Sequence, residues 1–211
     1  MTTSGISDQR SPDSIKVGGW LFRHRTSIPV PFALALLFVR VGEAPFSWTL
    51  AGAGAILIGA GEGTRLWAVR HIGAISRTRS DRLGPLIATG PFGLVRNPLY
   101  IGNILLWVGF AVTARLVWMA PVVLILLGLE YHAIVQWEEQ LLEGRRGQEY
   151  RDYCARVPRW IPNLKRGESG IPAGSASPAY GFSWKETLFS ERGTLIAIAV
   201  GYCLLWVKSL I

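Results

Sequence analysis

What most limits the fold of this chain is a series of five apolar stretches, about 28–41, 48–69, 98–114, 116–137 and 193–207, separated by polar sequence. Crossing a bilayer takes roughly 20 mostly apolar residues in a helix, because backbone N–H and C=O groups find no water there. Half of the 211 residues are hydrophobic and the mean hydropathy is +0.30, more than an ordinary soluble domain carries. The expected fold class is all-α, a polytopic integral membrane protein with about five transmembrane helices. The first stretch is the shortest and holds Pro29 and Pro31.

The charge pattern orients these spans. Net charge is +8, which by itself would suit a nucleic-acid partner, but the basic residues are sorted by side. With five spans, segments 1–27, 70–96 and 138–192 share one face and hold 18 of the 22 Lys and Arg. The positive-inside rule makes that face cytoplasmic, with the N-terminus in and the C-terminus out, and nucleic acid is not an expected partner. Residues 1–14 are polar and lack the basic, apolar, small-residue order of a cleavable signal, so the first apolar stretch is expected to remain as an anchor. Trp20 and Phe22 beside Arg23 and Arg25 suit an interfacial segment ahead of it. Cys154 lies in a polar block and Cys203 in an apolar one, so neither a disulfide nor a metal site is expected.

The expected organisation is a cytoplasmic segment (1–27), a membrane core (28–166), a flexible linker (167–181) and a C-terminal part (182–211). The linker is rich in Gly, Ser, Ala and Pro. After it, Phe182, Trp184, Leu188 and Phe189 recur near helical spacing, which predicts a short surface helix before the last span.

Three groups of residues carry the chemistry. Asn97-Pro98 reads as an N-cap followed by a first helical residue, so a span should start there with its free N–H groups facing the cytoplasm. Beside Arg96, such a helix start suits an anionic group, or Arg96 meets lipid phosphate. Gly90-Pro91 and Gly102 read as turn and close-packing positions. In the second apolar stretch Glu62 and Arg65 share a helix face at a spacing of three. Ionisable groups inside spans face a protein interior or a watery cavity, and Gly59, Gly61 and Gly63 would let a helix or ligand come close. In the fourth, Glu130, Ile134 and Glu138 line one face, ending in Glu138-Glu139. Those carboxylates either bind ribose hydroxyls or neutralise Arg145, Arg146 and Arg151. Tyr150, Tyr153, Pro158, Trp160 and Pro162 follow as an aromatic, Pro-rich flap or interfacial belt.

Three pieces occur in order between residues 59 and 162: Gly61-Glu62-x-x-Arg65; Gly90-Pro91-Phe92-x-x-Val95-Arg96-Asn97-Pro98-x-Tyr100-x-Gly102; and Glu138-Glu139-x-x-Leu142, continuing through Gly147-x-Glu149-Tyr150-x-x-Tyr153-x-x-Arg156-Val157-Pro158 to Pro162. The set resembles the isoprenylcysteine carboxyl methyltransferase family and, more distantly, phosphatidylethanolamine N-methyltransferases and sterol reductases of related architecture. One departure is Asn97, where the family usually has His. The resemblance implies S-adenosyl-L-methionine as methyl donor, bound on the cytoplasmic side by Gly90, Arg96, Asn97, Tyr100, Glu138, Glu139 and Tyr150. It also implies a lipophilic acceptor arriving from the membrane lipids, a carboxylate such as that of a prenylcysteine, held by Arg65 with Glu62 steadying it. An amine or thiol acceptor would instead recruit Glu62 or Glu130 as base. A sterol-type reductase would use NADPH, and a scaffold that has lost catalysis would need neither cofactor.

Overall fold

The computed structural model describes residues 12–73, 86–163 and 182–210, and among them every regular element is helical. In chain order these are α1 (Pro12–His24), α2 (Val30–Phe38), α3 (Trp48–Ile72), α4 (Pro91–Leu94), α5 (Pro98–Thr113), α6 (Met119–Arg146), α7 (Gln148–Arg156) and α8 (Trp184–Leu210). α5 is the central element, with α3 along one side and α6 along another; α1 lies on α6, and α8 lies against α3 and α2.

A glycine seam sets α3 against α5. Gly54 and Gly61 on α3 meet Gly109 and Gly102 on α5, two pairs seven residues apart on antiparallel helices. A Cβ on Gly61 would come within 2.7 Å of the Gly102 carbonyl oxygen, and one on Gly102 within 2.8 Å of that of Gly61. Small residues permit this backbone approach and bring the two helices into close van der Waals contact. Of the glycines around Glu62 and Arg65, Gly61 alone is used in this way; Gly59 and Gly63 have nothing within 4 Å.

The helices redraw the expected spans. α6 and α8 are long and apolar enough to cross a membrane. α3 has 25 residues and α5 has 16, whereas α2 has nine, a rise of about 14 Å against a hydrocarbon layer of roughly 30 Å. The 28–41 stretch therefore does not form a spanning helix: Pro29 precedes its first turn, and Val39 leaves it in an extended conformation. The predicted surface helix and last span are instead one continuous 27-residue helix, α8. It contains no proline, and Gly193 costs too little to interrupt it. The expected linker 167–181 lies outside the described residues.

α8 is tied to the core at both ends. At its start, the Phe182 backbone N–H donates to the Arg70 carbonyl (2.8 Å), and the Arg70 guanidinium lies 4.3 Å from the Trp184 ring centroid. At its end, Lys208 Nζ donates to the carbonyls of Leu36 (2.9 Å) and Val39 (2.8 Å) and lies 3.6 Å from Glu43, which also pairs with Arg115. This second cluster joins α2, the loop between α5 and α6, and α8.

Candidate active site

The site is assembled at the end of the bundle where α3 and α6 finish and α5 and α8 begin. Gly90 turns with φ of 56° against the end of α3, where any side chain would strike the His71 ring, 2.4 Å from a built Cβ. From there the chain is laced to the strap after α7: the Arg96 N–H donates to the Pro158 carbonyl (2.9 Å), and the Asn163 N–H donates to that of Leu94 (3.0 Å). α5 starts at Pro98, as the Asn-Pro pair predicts. Asn97 makes no side-chain cap, however; its Nδ2 reaches across to donate to the Arg159 carbonyl at 3.1 Å. The amide thus ties two strap segments together, in place of closing one helix.

Within this frame Glu139 is buried, 4% exposed, and flanked by two arginines. Arg96 Nη1 lies 2.9 Å from Oε1, while Arg159 approaches with Nε at 3.0 Å from Oε1 and Nη2 at 2.6 Å from Oε2. Bidentate pairing of this kind fixes both partners in orientation. The expectation that Glu138 and Glu139 neutralise Arg145, Arg146 and Arg151 is replaced by a different pairing. Arg146 pairs with Glu149, and Arg151 with Glu143, on the outer surface. Glu138 accepts a hydrogen bond from the Tyr100 hydroxyl (3.0 Å), and the Tyr100 ring stacks on Tyr131 with centroids 4.7 Å apart.

Beside Glu139 is a cavity of about 260 Å³ lined by Arg96, Glu139, Glu143, Tyr150, Arg151, Cys154 and Arg159. Arg96 Nη1 also donates to Cys154 Sγ at 2.8 Å, and Arg96 Nε is buried without an acceptor among the described residues. Burial pushes the Cys154 thiol up from its ordinary value, with Arg96 pulling the other way. Burial likewise raises the phenols of Tyr150 and Tyr153, which stay protonated donors; Tyr153 donates to the Phe92 carbonyl at 2.8 Å.

A second charged group lies within the bundle, between α3, α5 and α8. Arg65 Nη1 donates to Asn103 Oδ1, and Nη2 donates to Glu191 Oε2 (2.5 Å) and Thr194 Oγ1 (3.2 Å). Its Nε lies 3.6 Å from Glu62 Oε2, too far for a hydrogen bond. Glu62 is 6% exposed, and neither of its carboxylate oxygens receives a hydrogen bond among the described residues.

The structure thus gathers Arg96, Asn97, Glu139 and Tyr150 around the strap, with Gly90 shaping its turn. Tyr100 and Glu138 sit one layer away, and Glu62 with Arg65 forms a separate cluster. Arg159, Asn103, Glu191 and Thr194 escaped sequence reasoning. Arg159 follows the turn at Gly147 and meets Glu139 from 20 residues away, although its place beside Pro158 in the third motif was a usable signal. Asn103 is one residue past the second motif. Glu191 lies 126 residues from Arg65, and no periodicity links the two.

Comparison with known proteins agrees with the ordered motifs: residues 50–148 match the family model described as phospholipid methyltransferase. The matched residues, just under half of the chain, are similar to that family. That family falls in the isoprenylcysteine carboxyl methyltransferase-like group and implies a membrane methyltransferase. The matched region covers Glu62, Arg65, Gly90, Arg96, Asn97, Tyr100, Glu138 and Glu139, and leaves Tyr150, Arg159 and Glu191 outside. The chain is also similar to the nickel-cobalt-cadmium resistance protein NccN of Alcaligenes xylosoxydans xylosoxydans, 29% identical over 69% of this chain and 68% of that protein. The cobalt-zinc-cadmium resistance protein CzcN of Cupriavidus metallidurans is 29% identical over 80% of this chain and 79% of its own length. No solved structure matches.

Proposed function

We propose that this phospholipid methyltransferase relative is an S-adenosyl-L-methionine-dependent enzyme that methylates a lipophilic acceptor delivered from the bilayer. The observation that carries the reading is the pairing of a charged cavity at one end of the bundle with a buried ionic cluster between its helices. Among the described residues, Arg70, Arg96, Arg145, Arg146, Arg151, Arg156 and Arg159 fall at the cavity end of the bundle, which supports a cytoplasmic assignment of that end by charge asymmetry. When bound, the cofactor supplies a methyl carbon on a sulfonium, whose displacement returns the bonding electron pair to sulfur. The residues present suit such a ligand. Arg96 holds an unused buried N–H for its carboxylate, and Glu139 offers acceptors to an ammonium or ribose once it exchanges one arginine for ligand. Tyr150 closes the wall, and the strap tied by Asn97 keeps water out, so the protein contributes chiefly position and exclusion of solvent.

The family resemblance points first to a carboxylate acceptor, such as that of a prenylcysteine, resting on Arg65. A specific observation favours an amine as the second reading. Both Nη groups of Arg65 are already engaged, whereas Glu62 has two buried oxygens without donors. An acceptor amine would satisfy Glu62 with its N–H groups, and Glu62 would take the proton released as the C–N bond forms. The test of the enzyme reading is calorimetry on the purified protein. S-adenosylhomocysteine is expected to bind, and binding of NADPH alone would replace methyl transfer with the hydride chemistry of the sterol reductases.

A further inference from the structure

The C-terminal helix contributes a polar face that neither the matched family region nor the methyltransferase chemistry accounts for. Thr187, Glu191 and Thr194 recur at spacings of four and three, so they share one face of α8, and it is turned toward α3. Thr187 is fully buried and Glu191 is 7% exposed, on a helix that is largely exposed elsewhere. Burying a carboxylate is costly unless it meets a partner, and Glu191 meets Arg65 at 2.5 Å. Arg65 is then shared between Glu191 at 2.5 Å and Glu62 at 3.6 Å, so its positive charge is already offset before any acceptor arrives.

We propose that Glu191 is the specificity-determining residue of the acceptor site: by occupying the Arg65 fork it excludes carboxylate head groups and leaves Glu62 to select an amine. The proposal deepens the methyltransferase reading and rests on it. Its second, independent support is Glu62 itself, more than nine-tenths buried with both oxygens undonated among the described residues. A carboxylate acceptor would have to displace Asn103 and Glu191 from the guanidinium and then sit among like charges in a poorly screened interior. An alkylamine brings the donors that the cluster lacks. In the transfer step the amine nitrogen forms the new C–N bond, the sulfonium C–S bond breaks with its electron pair going to sulfur, and the nitrogen gives up one proton to Glu62.

The experiment compares hexadecanoate with hexadecylamine, identical in tail and opposite in head-group charge, on the full chain in lipid nanodiscs with labelled cofactor. The wild type is expected to methylate the amine in clear preference. Glu191→Gln keeps an oxygen to accept from Arg65 but removes the charge, and it should shift the carboxylate-to-amine ratio of kcat/KM toward carboxylate by about tenfold or more, mainly through KM. Binding of S-adenosylhomocysteine should be unchanged in the variant. A wild type that prefers hexadecanoate, or a ratio unaltered in Glu191→Gln, overturns the proposal. If neither compound is methylated, the thermal stabilisation each confers on wild type and variant reads the same preference, with equal stabilisation by both counting against it. Absence of S-adenosylhomocysteine binding would sink the methyltransferase reading separately, since the charge preference in the stabilisation data does not depend on the cofactor.

Discussion

Around Glu139 a single carboxylate is saturated by Arg96 and Arg159, and the cations are in excess; around Arg65 a single guanidinium is held by Glu191 and Asn103, and the carboxylates are in excess. The first arrangement has the properties of a frame. Its bidentate pair locks the strap onto α6, and Arg96, which also lines the cavity, keeps a buried Nε–H without an acceptor among the described residues. The second leaves Glu62 short of donors within the bundle. Buried polar groups are almost always satisfied, so a carboxylate left without a donor among the described residues is open to a further partner, a property that Glu62 shares with Glu130 on α6. A saturated acid and an unsatisfied one, carried by helices packed on two sides of α5, thus divide the labour between holding and receiving.

Removing Glu139 should break the comparison most severely. Glu139→Ala leaves two arginines without their carboxylate, a loss of about 3–5 kcal/mol for a buried pair, and the expected readouts are a lowered Tm and lost binding of S-adenosylhomocysteine. Retained binding at full affinity would show that the cavity serves another ligand. Changing the other acid should separate the two regions. In Glu62→Gln cofactor binding is expected to persist while kcat for an amine acceptor falls by roughly 100-fold, the lower range for loss of a general base. An unchanged kcat would remove Glu62 as proton acceptor.

A smaller effect is expected from the seam that carries Arg65. Gly102→Val would press on the Gly61 carbonyl and the Arg65 side chain, costing about 1–3 kcal/mol of stability by overpacking and weakening acceptor use more than cofactor binding. Gly59→Val, with open space around its Cβ, is the matched control, and equal losses in Tm for both would refute the seam. The mildest probe leaves the sequence almost intact. Because burial holds the Cys154 thiol above its ordinary pKa, its thiolate fraction is small near neutrality and grows as pH rises toward that raised value. In a Cys203→Ser background, alkylation of Cys154 should therefore be slow at neutral pH, accelerate with pH, and slow again when S-adenosylhomocysteine fills the cavity. Labelling that ignores the ligand would place the cofactor elsewhere.

Much of the inner cluster was legible because helices make it so: Glu62 and Arg65 are three residues apart, and a helix puts them on one face wherever it packs. The start of α5 was equally readable from Asn97-Pro98. The use of Asn97 was not, because its amide had a choice between its own helix and a carbonyl 62 residues away, and packing of the strap decided it. The nine-residue α2 escaped a reading by hydropathy, which registers apolar length but not where the chain turns away.

The sequence by itself determined the helical, apolar character of the chain, the segregation of its basic residues into a few polar segments and the residue types available for chemistry. These follow from local composition and helical periodicity, which act within a few turns. Only the tertiary structure decided which charges meet: Arg159 and Arg96 converge on Glu139, and Glu191 reaches Arg65 from the far end of the chain. The reason is that a buried charge settles on whichever opposite charge packing brings within reach, and sequence separation sets no limit on that choice.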